Sequence, residues 1–150
     1  VRQVVERMAE GFGKSHKFHT EIEDGIIMEM DKEAVEAMVQ NLLENAVKYS
    51  PIGTQVTVML ARIKDTITLK IADEGSGIPD EEKPHVFKKF YRVGNEETRK
   101  AKGTGLGLFI VKEVVAGHEG TIRVEDNWPE GTAFIVEISV TQSRSDKNLT

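Results

Sequence analysis

Four short blocks of the chain carry groups that could act together on one ligand. In chain order they are 41–49 (NLLENAVKY), 73–77 (DEGSG), 87–92 (FKKFYR) and 103–108 (GTGLGL). They supply amide oxygens beside a cation, a carboxylate followed by glycines, a basic aromatic segment, and glycines before a predicted helix. Amide oxygens suit Mg²⁺, and the free N–H groups of a helix start suit phosphate. Together the blocks indicate a site for a magnesium nucleotide.

The first block falls on one face of a predicted helix. At 100° per residue, Asn41, Asn45 and Lys48 lie within an arc of about 60°. The two amides could bind Mg²⁺, which shares its coordination shell with phosphates, and the lysine could bind phosphate as a point charge. Tyr49 lies towards the apolar side, where it could stack on a base. The alternative is a solvated helix face, which this block alone does not exclude.

The second block places a carboxylate where an apolar side chain is due. Apolar residues alternate over 67–71, and Asp73 continues the same phase. Burying a carboxylate without a partner is costly, so a ligand that donates a hydrogen bond, such as an adenine amino group, would resolve the conflict. Gly75 and Gly77 would then let the ligand approach the backbone closely. A surface turn that closes the strand is the alternative, and the phase argument disfavours it.

The glycines of the fourth block, 103–108, have no side chains, so a ligand could reach the start of the predicted helix that follows. The helix dipole favours the binding of phosphate there. The spacing of the block is G-x-G-x-G with no strand directly before it, so it is not the dinucleotide-binding fingerprint. The sequence 13–15 (GKS) is not a P-loop either, because Met8 stands where the first glycine would be needed.

The segment between the third and fourth blocks is rich in basic residues. One interpretation is that residues 93–102 form a lid that closes on polyphosphate, anchored by Phe87 and Phe90, which would pack on the core at helical spacing. The other is an ordinary surface loop. Residues 91–103 hold Arg92, Arg99, Lys100 and Lys102 against Glu96 and Glu97.

The surrounding elements follow from periodicity and turn residues. We expect strands near 18–22, 56–60 and 67–71, an extended piece at 26–30 and a hairpin over 122–140. We expect a long helix from the N-cap Asp31 to about Tyr49, a short helix over 80–90, and a helix from Thr104 with Gly117 as its C-cap glycine. The pattern predicts an α+β fold, a two-layer α/β sandwich with a mixed sheet and helices on one face.

The bulk composition narrows the function classes. A chain of 150 residues suits one domain, and a net charge of −5 argues against a general nucleic-acid binder. With no cysteine, disulfides, thiolate-ligated zinc and thiol catalysis are excluded. No apolar run approaches the length of about 18 residues that a membrane helix needs, and no signal peptide is visible. The four histidines show neither zinc-site spacing nor a catalytic arrangement.

The blocks resemble the N box, first glycine box, F box and second glycine box of the ATP-binding catalytic domain of sensor histidine kinases. That domain belongs to the wider group of DNA gyrase, MutL and the ninety-kilodalton heat-shock chaperone. Residues 131–134 (GTAF) resemble its final G-T-x-F strand motif. The resemblance covers about residues 17–140 and implies a mixed sheet of about five strands with three helices on one face.

The resemblance implies a role for each matching residue. Asn45 would be the main Mg²⁺ ligand with Asn41 nearby, Lys48 would contact phosphate, and Asp73 would accept from the adenine amino group. Arg92 would reach the γ-phosphate, so Asn41, Lys48 and Arg92 are the candidate catalytic residues. The remaining candidates for ATP binding are Tyr49, Gly75, Gly77, Ile78, Phe90, Gly103, Thr104, Gly105, Leu106, Gly107, Leu108 and Thr132.

One position separates the subfamilies. The hydrolysing relatives carry a glutamate that activates water at the position of Asn41, and an amide cannot act as that base. This favours phosphoryl transfer to a protein histidine, in two-component signal transduction, over hydrolysis. Glu44 is a possible helper but lies about 100° from Asn45 on the helix. The alternatives are a hydrolysing ATPase and a nucleotide-binding regulatory module without kinase activity.

The acceptor histidine of such a kinase is not recognisable in this chain. No helix-borne His-Glu or His-Asp pair is present, and His118 with Glu119 resembles a turn of the family. We therefore expect residues 1–15 to be a loose linker from a dimerisation domain, 16–142 the ATP-binding domain and 143–150 a disordered tail.

The expected partners follow from the same resemblance. They are the histidine-bearing dimerisation domain of a homodimeric parent kinase and a response-regulator receiver domain, without nucleic-acid or membrane contact. The domain would be cytoplasmic, with membrane anchoring of the parent left open.

Overall fold

The structure is a computed structural model that describes residues 1–92 and 105–140. Within these residues, three α-helices cover one face of a five-stranded sheet. The helices are α1 (Arg2–Phe12), α2 (Lys32–Lys48) and α3 (Gly107–Gly117). The strands are β1 (Lys17–Ile22), β2 (Gln55–Ile63), β3 (Thr66–Ala72), β4 (Thr121–Asp126) and β5 (Thr132–Ser139).

The sheet is mixed, with the strand order β1-β2-β3-β5-β4. Strand β1 runs parallel to β2, and every other neighbouring pair is antiparallel. This confirms the predicted two-layer architecture and the closing hairpin. It also places β3 beside β5 in the interior of the sheet.

Helix α2 forms as its sequence predicts. Asp31 is the N-cap, and its side chain accepts a hydrogen bond from the N–H of Ala34 at 3.1 Å. Glu33 and Lys48 lie in the first and last turns, where their charges complement the helix dipole. The helix buries Met38, Val39, Leu42, Leu43 and Ala46.

The core lies between the helices and one face of the sheet. Strand β3 contributes Leu69 and Ile71, and β5 contributes Phe134 and Val136, because alternate residues of a strand share one face. The register places Leu69 opposite Val136 and Ile71 opposite Phe134. The phase that the sequence predicts for β3 is therefore confirmed.

The expectation that residues 1–15 are loose is wrong. Residues 2–12 form α1, which packs on the core through the buried side chains of Val4, Val5 and Met8. Helical spacing of these apolar residues, continued by Phe12, gives the helix a face to bury. The assignment of this segment as a linker from another domain stays a prediction.

Residues 26–30, expected to be an extended piece, belong to no strand of the sheet. Two other local predictions differ from the structure. The short helix expected over 80–90 is a single 3₁₀ turn, Lys83–His85, because Pro84 cannot donate a helical hydrogen bond. Gly117 is the last helical residue of α3, and the left-handed position after the helix belongs to Glu119, with a φ of 56°. The predicted lid at 93–102 and tail at 143–150 lie outside the described residues.

Candidate functional site

The predicted site residues converge on one region of the fold. The carboxyl end of β3 meets the start of β5, and the loop after β3 touches the C-terminal end of α2. The N-terminal end of α3 lies against the same helix at Asn41, about two turns earlier. Residues far apart in the chain therefore lie close together in one region of the fold.

Asp73 is buried at the end of β3, with 3% of its surface exposed. Its Oδ1 accepts hydrogen bonds from the N–H groups of Gly75 at 2.8 Å and Thr132 at 3.3 Å. Within residues 1–92 and 105–140, Oδ2 accepts none. Burial raises the pKa of the carboxyl above its ordinary value, and the two N–H donors oppose that rise. One oxygen thus remains for a ligand that donates a hydrogen bond.

The protein's own backbone explains Gly75. A Cβ at this position would overlap the carbonyl oxygen of Tyr49 and lie 2.9 Å from Asp73 Oδ1. The sequence suggested that this glycine serves ligand approach, but it is also required for packing the loop against α2. Gly77 has a φ of +80°, a conformation that favours glycine. Ile78 then packs against the core.

The amide face of α2 borders this loop. Asn41 and Asn45 are half-buried one turn apart, whereas Lys48 and Tyr49 are exposed. The side-chain nitrogen of Asn41 donates to the carbonyl of Ala37 at 2.8 Å, which leaves its oxygen as the outward group. The helix therefore presents two side-chain amides, a cation and an aromatic ring along one edge of the site.

The start of α3 packs on that face. A Cβ on Gly107 would lie 3.1 Å from Asn41 Oδ1, so the absence of a side chain lets the two helices approach. Leu106 precedes the helix with an apolar side chain that cannot accept from the first turn. The first N–H groups of α3 can then bind an anion. Leu108 is half-buried and packs against the core.

Gly105 forms a hydrogen bond between the two described ranges, residues 1–92 and 105–140. Its carbonyl accepts from the N–H of Phe90 at 3.0 Å. With a φ of +73°, Gly105 leaves room for this contact, since a Cβ would lie 2.7 Å from the carbonyl carbon of Phe90. Gly103 and Thr104, which were predicted to bind phosphate, lie outside the described residues.

The aromatic anchors behave differently from each other. Phe87 packs edge-on against Phe134, with ring centroids 6.0 Å apart, as expected of a core anchor. Phe90 is 64% exposed with a φ of 65°, so its predicted packing on the core is wrong. The ammonium of Lys89 lies 5.3 Å from the Phe90 ring centroid. Arg92 is half-buried beside the segment that the structure does not describe.

Sequence reasoning missed two residues that support the site. The side-chain amide of Asn127 donates to the carbonyl of Asp73 at 2.8 Å, and thereby holds the β4–β5 turn against the end of β3. Lys83 pairs with Asp80 and, at 2.8 Å, with Asp126, which ties the loop after Gly77 to β4. Asn127 lies in a turn sequence, but its partner 54 residues away has no local signal.

In the part of the chain that the structure describes, no group of three or more His, Cys, Asp or Glu side chains could hold a metal ion. Across the same ranges, none of the helices is both long and apolar enough for a membrane span.

The chain is similar in sequence to a known family and to known proteins. A model of the family described as histidine kinase-, DNA gyrase B- and HSP90-like ATPase matches residues 30–142. Sensor protein KdpD of Clostridium acetobutylicum is 34% identical over 135 residues, which are 89% of this chain and 15% of that protein. Sensor histidine kinase WalK of Bacillus subtilis is 35% identical over 123 residues, which are 81% of this chain and 20% of that protein.

A solved structure agrees with these sequence relatives. The mycobacterial sensor histidine kinase MprB superposes with a TM-score of 0.76 at 33% identity, over 92% of this chain and 90% of that one. The chain spans only 15% to 20% of the length of the two curated relatives.

Proposed function

We propose a specific reaction for this chain, which belongs to the family of histidine kinase-, DNA gyrase B- and HSP90-like ATPases as an ATP-binding catalytic domain of the sensor histidine kinase type. It binds Mg·ATP and transfers the γ-phosphoryl group to a histidine on a dimerisation domain of its parent protein. The observation that carries the proposal is the buried Asp73, whose Oδ2 accepts no hydrogen bond within the described residues. An adenine amino group is the donor that this oxygen would accept.

The amide face of α2 supports a metal site on the phosphate side. Asn45 would bind Mg²⁺, and Asn41 would assist because its oxygen points away from its own helix towards Gly107. Lys48 would bind phosphate oxygens one turn beyond Asn45. In this arrangement the base lies near the end of β3 and the phosphates lie between α2 and the start of α3.

Transfer is favoured over hydrolysis by the residue at position 41. Phosphoryl transfer depends on positioning and charge stabilisation, and hydrolysis further needs a group that orients or deprotonates water. Asn41 cannot take a proton, and its nitrogen is already engaged with Ala37. A bound ATP without a placed acceptor should therefore be nearly inert.

Phosphoryl transfer to a histidine also determines which partners this chain needs. The parent's dimerisation domain would present the acceptor histidine, and a receiver domain would take the phosphoryl group onward. Arg92 and the basic segment 93–102 would contact the γ-phosphate during transfer. The homodimeric parent and its place in the cell are further parts of this proposal.

Incubation with γ-labelled ATP and Mg²⁺ tests the function. The chain alone should stay unlabelled, and adding the parent's dimerisation domain should give an acid-labile label on that domain. The Asp73→Asn variant should label it much more slowly at limiting ATP. Acid-stable label on the chain alone would contradict the proposal and indicate a serine or threonine kinase. Rapid phosphate release without the acceptor domain would indicate a hydrolysing ATPase.

A further inference from the structure

Four polar or charged residues are buried in the described part of the chain: His16, Ser50, Asp73 and Thr132. Asp73 and Thr132 contact each other in the nucleotide site. The other two also contact each other, because His16 Nε2 lies 3.2 Å from the carbonyl oxygen of Ser50. This second pair has no part in the proposed ATP site, although Ser50 directly follows Tyr49.

The contacts of His16 define how its ring is used. A carbonyl oxygen can only accept, so Nε2 carries the proton and donates to Ser50. The hydroxyl of Ser15 lies 2.9 Å from Nδ1 and 3.0 Å from the carbonyl oxygen of Phe12, so its single proton is available to either acceptor. The hydroxyl of Ser50 in turn donates to the carbonyl of Ala46 in the last turn of α2. Both imidazole nitrogens therefore lie close to a polar group, and 5% of the residue is exposed.

Backbone hydrogen bonds join the same two connections. The N–H of Gly53 donates to the carbonyl of Ser15 at 2.6 Å, and the N–H of Lys17 donates to the carbonyl of Thr54 at 3.0 Å. These two hydrogen bonds hold the connection from α1 to β1 against the connection from α2 to β2. The side chain of His16 adds a hydrogen bond to the carbonyl of Ser50, directly after the end of α2.

The end of α2 is in contact with the base side of the site. The carbonyl oxygen of Tyr49 lies against Gly75, where only a hydrogen atom fits. Gly75 donates its N–H to Asp73 Oδ1, the oxygen that does not face the ligand in our assignment. Where Ser50 lies therefore sets where Tyr49 lies, and Tyr49 bounds the loop that orients Asp73.

We propose that His16 is a positioning residue for base recognition: by holding the carbonyl of Ser50, it fixes Tyr49 against the Gly75–Asp73 loop. The proposal rests on the proposed function, since it assigns the base to Asp73. The family model matches from residue 30, so α1 and His16 lie before the matched stretch. His16 thereby connects the N-terminal helix of this chain to the nucleotide site.

Two substitutions at His16 and one control separate positioning from simple packing. His16→Leu keeps an apolar side chain in the space but removes the donor to Ser50. His16→Gln can restore a donor near the position of Nε2. Met8→Ala removes buried apolar surface from α1 without changing any hydrogen bond to Ser50. Urea unfolding gives the stability of each variant, and binding is measured where each is folded.

The ligands are ATP, adenosine and inorganic tripolyphosphate. His16→Leu should weaken ATP and adenosine by about threefold to tenfold, the equivalent of one hydrogen bond, and leave tripolyphosphate unchanged. His16→Gln should recover most of the adenosine affinity. Met8→Ala should lose stability and keep adenosine affinity within about twofold, because a packing loss alone does not move Tyr49.

Either of two results would overturn the inference. One is wild-type adenosine affinity in folded His16→Leu, and the other is an equal loss of adenosine affinity in Met8→Ala. If His16→Leu does not fold, the imidazole N–H resonance of His16 in the wild-type chain decides instead. It should shift on adding adenosine and stay in place on adding tripolyphosphate, and no shift with adenosine would overturn the inference. Failure of wild type to bind ATP at all would refute the proposed function and this inference with it.

Discussion

Gly131 packs its backbone directly against the carbonyl group of Asp73, so that a Cβ at position 131 would overlap the oxygen and lie 2.8 Å from the carbon. The neighbouring Thr132 and Asp73 exchange backbone and side-chain hydrogen bonds at the same point. The β4–β5 turn thus sets the position of the carboxylate that we assign to the adenine group.

Gly131→Ala tests this contact through stability. Its φ of +117° is a conformation that costs a residue with a Cβ about 1–3 kcal/mol, and the overlap with Asp73 adds to that loss. Urea unfolding should show a lower free energy of unfolding than in wild type. Gly25→Ala is the matched control, because Gly25 has a φ of +79° but open space around it. Equal losses in both variants would show that the contact with Asp73 is unimportant.

The Asp73→Asn variant tests, through the pH dependence of the free energy of unfolding, whether burying this carboxylate costs stability. Burial raises the pKa of Asp73 above its ordinary 3.8, so the folded chain holds this proton more tightly than the unfolded chain. The carboxyl's contribution to stability is then fully present below pH 3.8 and is lost as pH rises through the folded-state pKa. Asparagine keeps an acceptor for the N–H groups of Gly75 and Thr132. The variant should therefore gain stability relative to wild type as pH rises through this window.

Urea unfolding at a series of pH values measures that difference. The exposed Asp65→Asn is the control for removing a carboxylate at the surface, and its difference from wild type should not rise in the same way. A stability difference for Asp73→Asn that falls with rising pH would contradict the assignment of a burial cost to this carboxyl.

Asn45→Ala tests the phosphate side. Affinity for Mg·ATP should fall by about tenfold or more, because a metal ligand is lost, while affinity for adenosine stays near that of wild type. Calorimetry with both ligands measures the two affinities. Gln40→Ala, an exposed change on the same helix, should alter neither. Equal losses of affinity for Mg·ATP and adenosine in Asn45→Ala would contradict the assignment of a metal site to this face of α2.

The parts of the fold that the sequence predicted are those with strong local patterns. Helix α2 has a good N-cap and a long apolar stripe, and β3 has an alternation whose phase extends to Asp73. The prediction for Phe90 fails because a spacing of three residues suggests a helix, whereas the backbone of Phe90 is left-handed. His16 gave no signal, because its burial arises from the pairing of two connections that lie 34 residues apart.

The central claim is that Asp73 recognises the amino group of adenine, and a titration of ATP against inosine triphosphate tests it most directly. Inosine carries a carbonyl oxygen in place of that amino group, so it would face Asp73 Oδ2 acceptor to acceptor. A hydrogen bond to a charged group contributes about 1.5–3 kcal/mol, so wild type should prefer ATP by about tenfold or more. In Asp73→Asn the preference should largely disappear, because the amide can donate to the inosine carbonyl. Equal affinity of wild type for the two nucleotides, or unchanged ATP affinity in a folded Asp73→Asn variant, would contradict the account.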